Sequence, residues 1–176
     1  MNAQAQANWI GEDEIAILDA IDKWVEREVR PIARKHDHAD SYPHELVEQM
    51  KELGLFGAII SPDYGGLGLP ASTYAKIVLK VAAAWMAPSG IFNSHLIMAS
   101  AIQRTGTEEQ KAEWLPKMAT GELRGGIALT EPNAGTDLQA IRTKAEKTNE
   151  GYRLNGTKTW ITNSLHGNCL MILAKT

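Results

Sequence analysis

Residues 130–137, with the sequence TEPNAGTD, combine residue types that can bind a polar ligand through side chains and backbone together. Thr130 and Thr136 carry hydroxyl groups, and Gly135 permits a ligand to approach the backbone closely. The backbone N–H groups of such a turn are free of strand pairing, so they can bind a phosphate or the carbonyl edge of a ring. The same composition is also typical of an ordinary polar hairpin loop capped by Asp137.

A second group lies at Trp160, Ile161 and Thr162, within a β-branched and aromatic stretch at residues 157–162 that predicts a strand. Side-chain alternation then puts Trp160 and Thr162 on one face and Ile161 on the other. An aromatic plane and a nearby hydroxyl suit a flat heterocycle, since one packs and the other hydrogen-bonds. A cross-strand aromatic pair with an outward-facing threonine would produce the same pattern.

Composition and charge exclude several classes of protein. The chain has 176 residues, 44% of them hydrophobic, so it can bury a core. Its formal net charge of −3 argues against nucleic acid or an anionic membrane as the main partner. A single cysteine, Cys169, excludes an internal disulfide. No apolar run approaches the roughly 20 residues of a spanning helix, and the start lacks targeting features, so we predict a soluble, cytoplasmic protein.

Apolar residues recur at helical spacing through about residue 120, which predicts an all-helical N-terminal region. The first helix is predicted to begin at the acidic residues 12–14, whose charges favour a helix N-terminus, and Pro31 is predicted to kink or end it. Thr107 and Gln110 form a capping-box pattern that opens the fifth helix, which ends before Gly121. The other helices are predicted at residues 43–54, 71–87 and 89–104. Pro88 is predicted to close the helix at residues 71–87.

Beyond residue 121, apolar and polar residues alternate between glycine turns, which predicts strands. Asn149-Glu150-Gly151 is predicted to form a turn. Asn155-Gly156 is the favoured two-residue hairpin turn, because both positions tolerate positive φ. The last apolar strand ends the sequence and leaves a long sheet edge unpaired, so we expect further strands from more chain or from a partner. The strands are predicted at residues 126–130, 143–147, 152–154, 157–162 and 169–174.

The stretches TEPNAGTD at 130–137 and NGTKTWITN at 155–163, in this order and spacing, resemble the flavin-binding signature of acyl-CoA dehydrogenases. DYGGLG at 63–68 and GTEEQK at 106–111, the latter followed by WLP and GE, resemble further segments of the same family. The long signature is specific, whereas the YGGLG loop alone is a weak match. The resemblance covers nearly the whole chain.

The resemblance implies an α+β fold with two parts. Residues 1–120 would form an all-helical N-terminal domain, and residues 121–176 the first antiparallel strands of a β-barrel-like middle domain. The family's C-terminal helical domain is missing from the sequence, so we expect a truncated chain that belongs to a longer enzyme. FAD would be bound without a Rossmann glycine motif, and none is present.

The resemblance also implies which residues contact FAD. Thr130 would bond the flavin ring edge, Trp160 would pack near the ring, and Thr162 would bond close to N5, where hydride arrives. Thr136 stands where the family commonly has serine, and it would bond a phosphate or the acyl-CoA, which makes it the expected substrate-binding residue. The expected cofactor-binding residues are Ile127, Ala128, Leu129, Thr130, Gly135, Thr136, Trp160, Ile161 and Thr162.

By the same resemblance, the complete enzyme is an oxidoreductase of fatty acid metabolism that dehydrogenates an acyl-CoA thioester at its α and β carbons. Electrons would pass to an electron-transferring flavoprotein, and the enzyme would be a homotetramer or dimer. The family's catalytic base lies in the absent domain, so none is assigned here, and Glu131 is expected to stabilise its own loop. An acyl-CoA oxidase or flavin monooxygenase of the same superfamily is an alternative, as is a non-catalytic subunit or fragment.

Histidines are the remaining residues that could do chemistry. The stretch from His36 to His44 contains three histidines and two aspartates, which are metal-ligand types at short spacing. It follows a proline-interrupted helix and is typical of a solvated connection, so no metal site is predicted. His95 lies in an apolar helix and is expected to be a hydrogen-bonded packing residue.

Overall fold

A computed structural model describes the backbone of residues 3–176 and the side chains of residues 11–176. It confirms the predicted fold class, a helical region followed by a few strands. The helices are α1 Ala3–Trp24, a π-helical turn Val25–Val29, α2 Arg30–His38, α3 His44–Glu52, α4 Ala71–Ala84, α5 Met86–Thr105 and α6 Glu108–Thr120. The strands are β1 Gly125–Ala128, β2 Lys144–Thr148, β3 Gly151–Asn155 and β4 Cys169–Ile172.

Pro31 is accommodated within a long helical segment rather than ending it. The helix begins at Ala3, so the predicted start at residues 12–14 is wrong. The π-helical turn ends at Val29, two residues before the proline, and the Arg30 N–H donates to the Val25 carbonyl across the wider turn. Pro31 then lies in the first turn of α2, where its missing N–H breaks no α-helical bond.

The break between α4 and α5 lies at Trp85, three residues before the predicted position. Trp85 has extended backbone angles, φ −161° and ψ 124°, and α5 begins at the next residue. Pro88 therefore falls in the first turn of α5 instead of closing α4, because a proline is tolerated where no N–H partner is needed.

Local capping signals are confirmed. The Thr107 hydroxyl accepts from the Gln110 N–H at 3.3 Å, and the Gln110 side chain accepts from the Thr107 N–H at 2.9 Å. Gly121 ends α6 with φ 76°, and Gly54 follows α3 with φ 69°, both in the left-handed region that glycine adopts most easily.

Helix α5 is the central element of the core. It packs against α4, α6 and β1, so the helical region and the first strand share one apolar interior. Burial of these side chains supplies the main favourable term for folding. The largest fully buried side chains include Phe56, Phe92, Leu46, Met50, Leu55, Ile60, Ile77, Leu96, Leu115 and Met118.

The strands form two separate pairs. β2 and β3 are antiparallel, as predicted, with Thr148 opposite Gly151. The hairpin therefore turns at residues 149–150, which confirms the turn predicted at Asn149-Glu150-Gly151. The second predicted turn, at Asn155-Gly156, is wrong, since β3 ends at Asn155 and no strand follows it at residues 157–162. Residues 157–162 form no strand, which corrects another prediction.

β1 and β4 pair in parallel, with Gly125 opposite Cys169, so the predicted antiparallel arrangement holds only for β2–β3. A Cβ at Gly125 would overlap the Cys169 carbonyl oxygen, which explains a glycine at that position. Across residues 3–176, no helix has the length and hydropathy needed to span a membrane.

His95 is buried in the core and confirms its predicted packing role. Its Nε2 lies 3.2 Å from the Phe56 carbonyl and 3.1 Å from the Met118 carbonyl, so it bonds α5 to two neighbouring segments. Burial lowers the pKa of His95 from 6.5 to about 4.

We expect the stability of the protein to fall as the pH drops from about 6.5 to about 4, because the unfolded chain then takes up a proton that folded His95 refuses. The full effect is on the order of 3 kcal/mol. His95→Gln should reduce this pH dependence, measured by urea unfolding at pH 7 and pH 4.5, while His38→Gln at an exposed position should retain it. An unchanged pH dependence in His95→Gln would contradict this account.

Candidate functional site

A cavity of about 330 Å³ lies between α5 and the irregular segments that follow β1 and β3. Gly90, Asn93, Ser94 and Ile97 form one wall, and their spacing of three and four residues puts them on one face of α5. The opposite walls contain six of the nine residues predicted to contact a cofactor, namely Ile127, Leu129, Thr130, Trp160, Ile161 and Thr162. The structure thus brings together two segments that are thirty residues apart in the sequence.

The other three predicted residues lie outside the cavity lining. Ala128 is buried, and its carbonyl accepts from the Leu173 N–H at 3.0 Å, so its backbone supports the strand pair. Gly135 and Thr136 are exposed, in the loop after the tight turn in which Glu131 and Ala134 exchange backbone hydrogen bonds. The expected contacts of Gly135 and Thr136 with the cofactor, and of Thr136 with the substrate, therefore stay predictions.

Trp160 adopts an unusual backbone conformation at the edge of the cavity. Its φ is 58°, and Asn163 has φ 68°, so the segment coils instead of alternating like a strand. Trp160 and Thr162 reach the same cavity through this coil, and not through a shared strand face as predicted. Positive φ in a bulky residue costs energy and persists only where neighbouring contacts enforce it.

Asn163 supplies such contacts on one side of Trp160. Its Nδ2 donates to the Ile91 carbonyl of α5 at 2.9 Å and to the Gly125 carbonyl of β1 at 2.7 Å. Asn163 is not among the residues predicted from the sequence, although its position directly after Trp-Ile-Thr was a signal. It joins the coil to the helix and to the strand that form the cavity.

Glu131 is confirmed as the residue that stabilises its loop. Its buried carboxylate accepts from the backbone N–H groups of Arg142 at 2.6 Å and Thr143 at 2.9 Å, and from Lys158 Nζ at 3.0 Å. The nearby Thr143 hydroxyl, these N–H groups and the Lys158 ammonium together lower the pKa of Glu131 to about 2. A carboxylate with so low a pKa is a weak base.

The cavity offers binding and orientation and no acid or base. Its ten lining residues include no titratable side chain. The Thr130 and Thr162 hydroxyls have no hydrogen-bond partner among the side chains at 11–176, so both are available to a ligand. The Asn93 amide oxygen accepts from the Tyr74 hydroxyl at 2.6 Å, which fixes the polar part of the α5 wall.

The histidine-rich stretch borders a second cleft, of about 580 Å³. His36 Nδ1 lies 2.9 Å from the Ser41 hydroxyl, and the Tyr42 and His166 rings stack with centroids 3.7 Å apart. Within the part of the chain whose side chains are described, no three His, Cys, Asp or Glu residues are close enough to hold a metal ion.

Comparison with known families identifies the chain. Residues 11–122 match the model of the acyl-CoA dehydrogenase N-terminal domain, and residues 126–176 match that of the acyl-CoA dehydrogenase middle domain. The chain belongs to the acyl-CoA dehydrogenase family. The family predicted from the TEPNAGTD and NGTKTWITN stretches is therefore confirmed.

Individual relatives are consistent with this family. The chain is 33% identical over 171 residues to (2S)-methylsuccinyl-CoA dehydrogenase of Cereibacter sphaeroides, which covers 97% of this chain and 31% of that protein. A chain in a structure of the electron-transferring flavoprotein of Acidaminococcus fermentans is similar with a TM-score of 0.88 and 32% identity, covering 94% of this chain and 44% of that one.

A glutaryl-CoA dehydrogenase from Mycobacterium smegmatis, solved in complex with FADH2, is similar with a TM-score of 0.85 and 30% identity. That match covers 92% of this chain and 42% of the other. The chain thus spans less than half the length of each of these three proteins.

The close contact at Gly126 generates a prediction about how the cavity is built. A Cβ at Gly126 would lie 2.6 Å from the Ser94 hydroxyl and 2.6 Å from the Thr162 carbonyl, whereas one at Gly135 would meet nothing within 4 Å. Gly126→Ala should lower the free energy of unfolding by about 1–3 kcal/mol, because α5 and the coil must move apart.

Gly135→Ala is the matched control and should leave the free energy of unfolding within about 0.5 kcal/mol of the wild-type value, as surface substitutions usually do. Denaturant unfolding of the three proteins compares them directly. Equal stabilities for Gly126→Ala and Gly135→Ala would show that the Gly126 contact does not constrain the cavity.

Proposed function

We propose that the chain forms part of an FAD-dependent enzyme that dehydrogenates an acyl-CoA thioester at its α and β carbons. The observation that carries this proposal is the cavity in which Thr130, Trp160 and Thr162 meet against α5. Family membership supports the same reaction class. A cytoplasmic location is retained as part of the proposal on the sequence alone.

The residues around the cavity fit a flavin. A flat, polar-edged heterocycle needs an aromatic or apolar surface for its plane and hydrogen-bond partners for its edge. Trp160 is 89% exposed at the cavity rim, so its ring is accessible to a ligand and can cover a flat heterocycle. The unpaired Thr130 and Thr162 hydroxyls supply the polar contacts.

FAD, when bound, would supply the hydride acceptor for the reaction. Thr130 and Thr162 would then hold the polar edge of the flavin, Trp160 would cover its plane, and Ile127, Leu129 and Ile161 would exclude water. Gly135 and Thr136 would bind phosphate groups of the cofactor or of the acyl-CoA through the exposed loop after Ala134. Proton abstraction requires a base beyond the cavity lining, because that lining contains no titratable group.

The partners of the whole protein are part of the same proposal. Acyl-CoA is the proposed substrate, and an electron-transferring flavoprotein is the proposed electron acceptor. The similarity to a chain in the Acidaminococcus fermentans flavoprotein structure supports that acceptor. We further propose a homotetramer or dimer, as the resemblance to the family implies.

The full-length protein should purify with the visible absorbance of oxidised flavin, and anaerobic mixing with an acyl-CoA should bleach it. A panel of acyl-CoA thioesters of different lengths would define the substrate. Electron transfer to an electron-transferring flavoprotein, followed by dye reduction, tests the acceptor, and rapid oxygen consumption instead would favour the oxidase alternative. A full-length protein that binds no flavin would overturn the proposal.

Thr162→Val should weaken FAD binding about two- to tenfold or slow anaerobic flavin reduction, because one hydrogen bond of ordinary strength is lost. Fluorescence titration of the apoprotein and stopped-flow reduction measure the two effects. Thr157→Val is the matched control, since Thr157 is exposed and lies outside the cavity lining. If Thr162→Val and Thr157→Val behave alike in both measurements, the Thr162 hydroxyl does not contact the flavin.

A further inference from the structure

The ion pair between Lys158 and Glu131 is unusually well buried for this chain. The two side chains are 10% and 6% exposed, and Lys158 Nζ lies 3.0 Å from Glu131 Oε1. Each of the other ion pairs among residues 11–176 has at least one side chain that is more than half exposed. Removing two charges from water is unfavourable, so this pair is retained against a desolvation cost.

The pair joins three irregular segments at one point. Lys158 Nζ also donates to the Leu129 carbonyl at 2.8 Å, and the Thr159 N–H donates to the Thr130 carbonyl at 3.0 Å. The two oxygens of Glu131 additionally accept from the backbone at residues 142 and 143. No strand ladder fixes residues 156–163, so these contacts substitute for one.

Trp160 lies between two anchors. Lys158 holds the chain two residues before it, and Asn163 holds the chain three residues after it through bonds to α5 and β1. The positive φ of Trp160 requires such enforcement from both sides. Neither Lys158 nor Glu131 lines the cavity. Any effect of the pair on the site is therefore transmitted through the segments that it joins.

We propose that Lys158 and Glu131 are positioning residues, which fix the distance and orientation between the 129–130 and 160–162 walls of the cavity. The identity of the bound ligand in this inference rests on the proposed flavin-binding function. The claim that the pair holds the two walls together rests on the hydrogen-bond geometry alone. An ammonium with several donors and a carboxylate with two acceptor oxygens suit this task, because each can hold two or more segments at defined angles.

The test uses the full-length protein with Lys158→Met, Glu131→Gln and the double variant, and with Lys158→Arg as the conservative replacement. Lys23→Met is the matched control, since Lys23 pairs with Asp19 at an exposed position. Hydrogen exchange read by mass spectrometry should accelerate at residues 129–131 and 158–163 in Lys158→Met and stay unchanged in Lys23→Met. Unchanged exchange at residues 158–163 in Lys158→Met would overturn the proposal whether or not the protein binds FAD.

FAD binding separates positioning from simple stability. The double variant carries no unpaired buried charge, so its thermal stability should recover relative to either single variant. Its affinity for FAD should nevertheless remain roughly tenfold below wild type, with an altered flavin absorbance spectrum at saturation, because the walls are no longer held in place. Lys158→Arg should retain more of that affinity than Lys158→Met, since it keeps a positive charge and hydrogen-bond donors beside Glu131.

Two outcomes are decisive. A double variant that recovers both stability and wild-type FAD affinity would reduce the pair to a structural role and reject the proposal. A wild-type protein that binds no FAD would refute the proposed function alone, because the exchange measurement still decides whether Lys158 holds the two walls together.

Discussion

The C-terminal part of this structure depends on the hydrogen bonds and the ion pair that the buried carboxylate of Glu131 makes. Segments 129–131, 142–143 and 158–159 pass one another without forming a common sheet. Their backbone groups need partners, because unpaired buried polar groups are costly. Glu131 satisfies two N–H groups and the Lys158 ammonium at once, so one side chain replaces the ladder that these segments lack.

Helix α5 provides the rigid complement to this network. It is buried along one side in the helical core and presents Gly90, Asn93, Ser94 and Ile97 to the cavity on another. Gly126 lets β1 approach the helix closely, and Asn163 attaches the coil to both. The cavity therefore has one wall made of regular structure and others held by side-chain hydrogen bonds. The family signature in the sequence falls almost entirely on the second kind of wall.

This division explains what could be predicted from the sequence. Capping by Thr107 and Gln110 and the helix ends near Gly54 and Gly121 depend on neighbouring residues, and all were predicted. The conformation of Trp160 depends on the hydrogen bonds of Asn163 to Ile91 and Gly125, which are far away in sequence. The local pattern of residues 157–162 contains no sign of these bonds, so it predicted a strand that the structure does not form. The predicted Asn155-Gly156 turn is wrong for the same reason, because it required a strand at residues 157–162 to pair with β3, and no such strand forms. Six predicted site residues nevertheless converge, because the resemblance to a family supplied long-range information that local pattern lacks.

The chemical character of the cavity agrees with the way that its walls are built. Acid–base catalysis needs a titratable group within reach of the substrate, and none lines this space. A site that binds a cofactor and leaves the redox chemistry to it needs only shape, an aromatic surface and a few fixed hydrogen-bonding groups. Precision then matters more than reactivity, since displacement of a wall by about 1 Å can lower a rate by roughly a hundredfold. The desolvation cost of burying an ion pair behind the walls is opposed by the attraction between Lys158 and Glu131 and by their further hydrogen bonds, and those bonds hold segments that no strand ladder fixes.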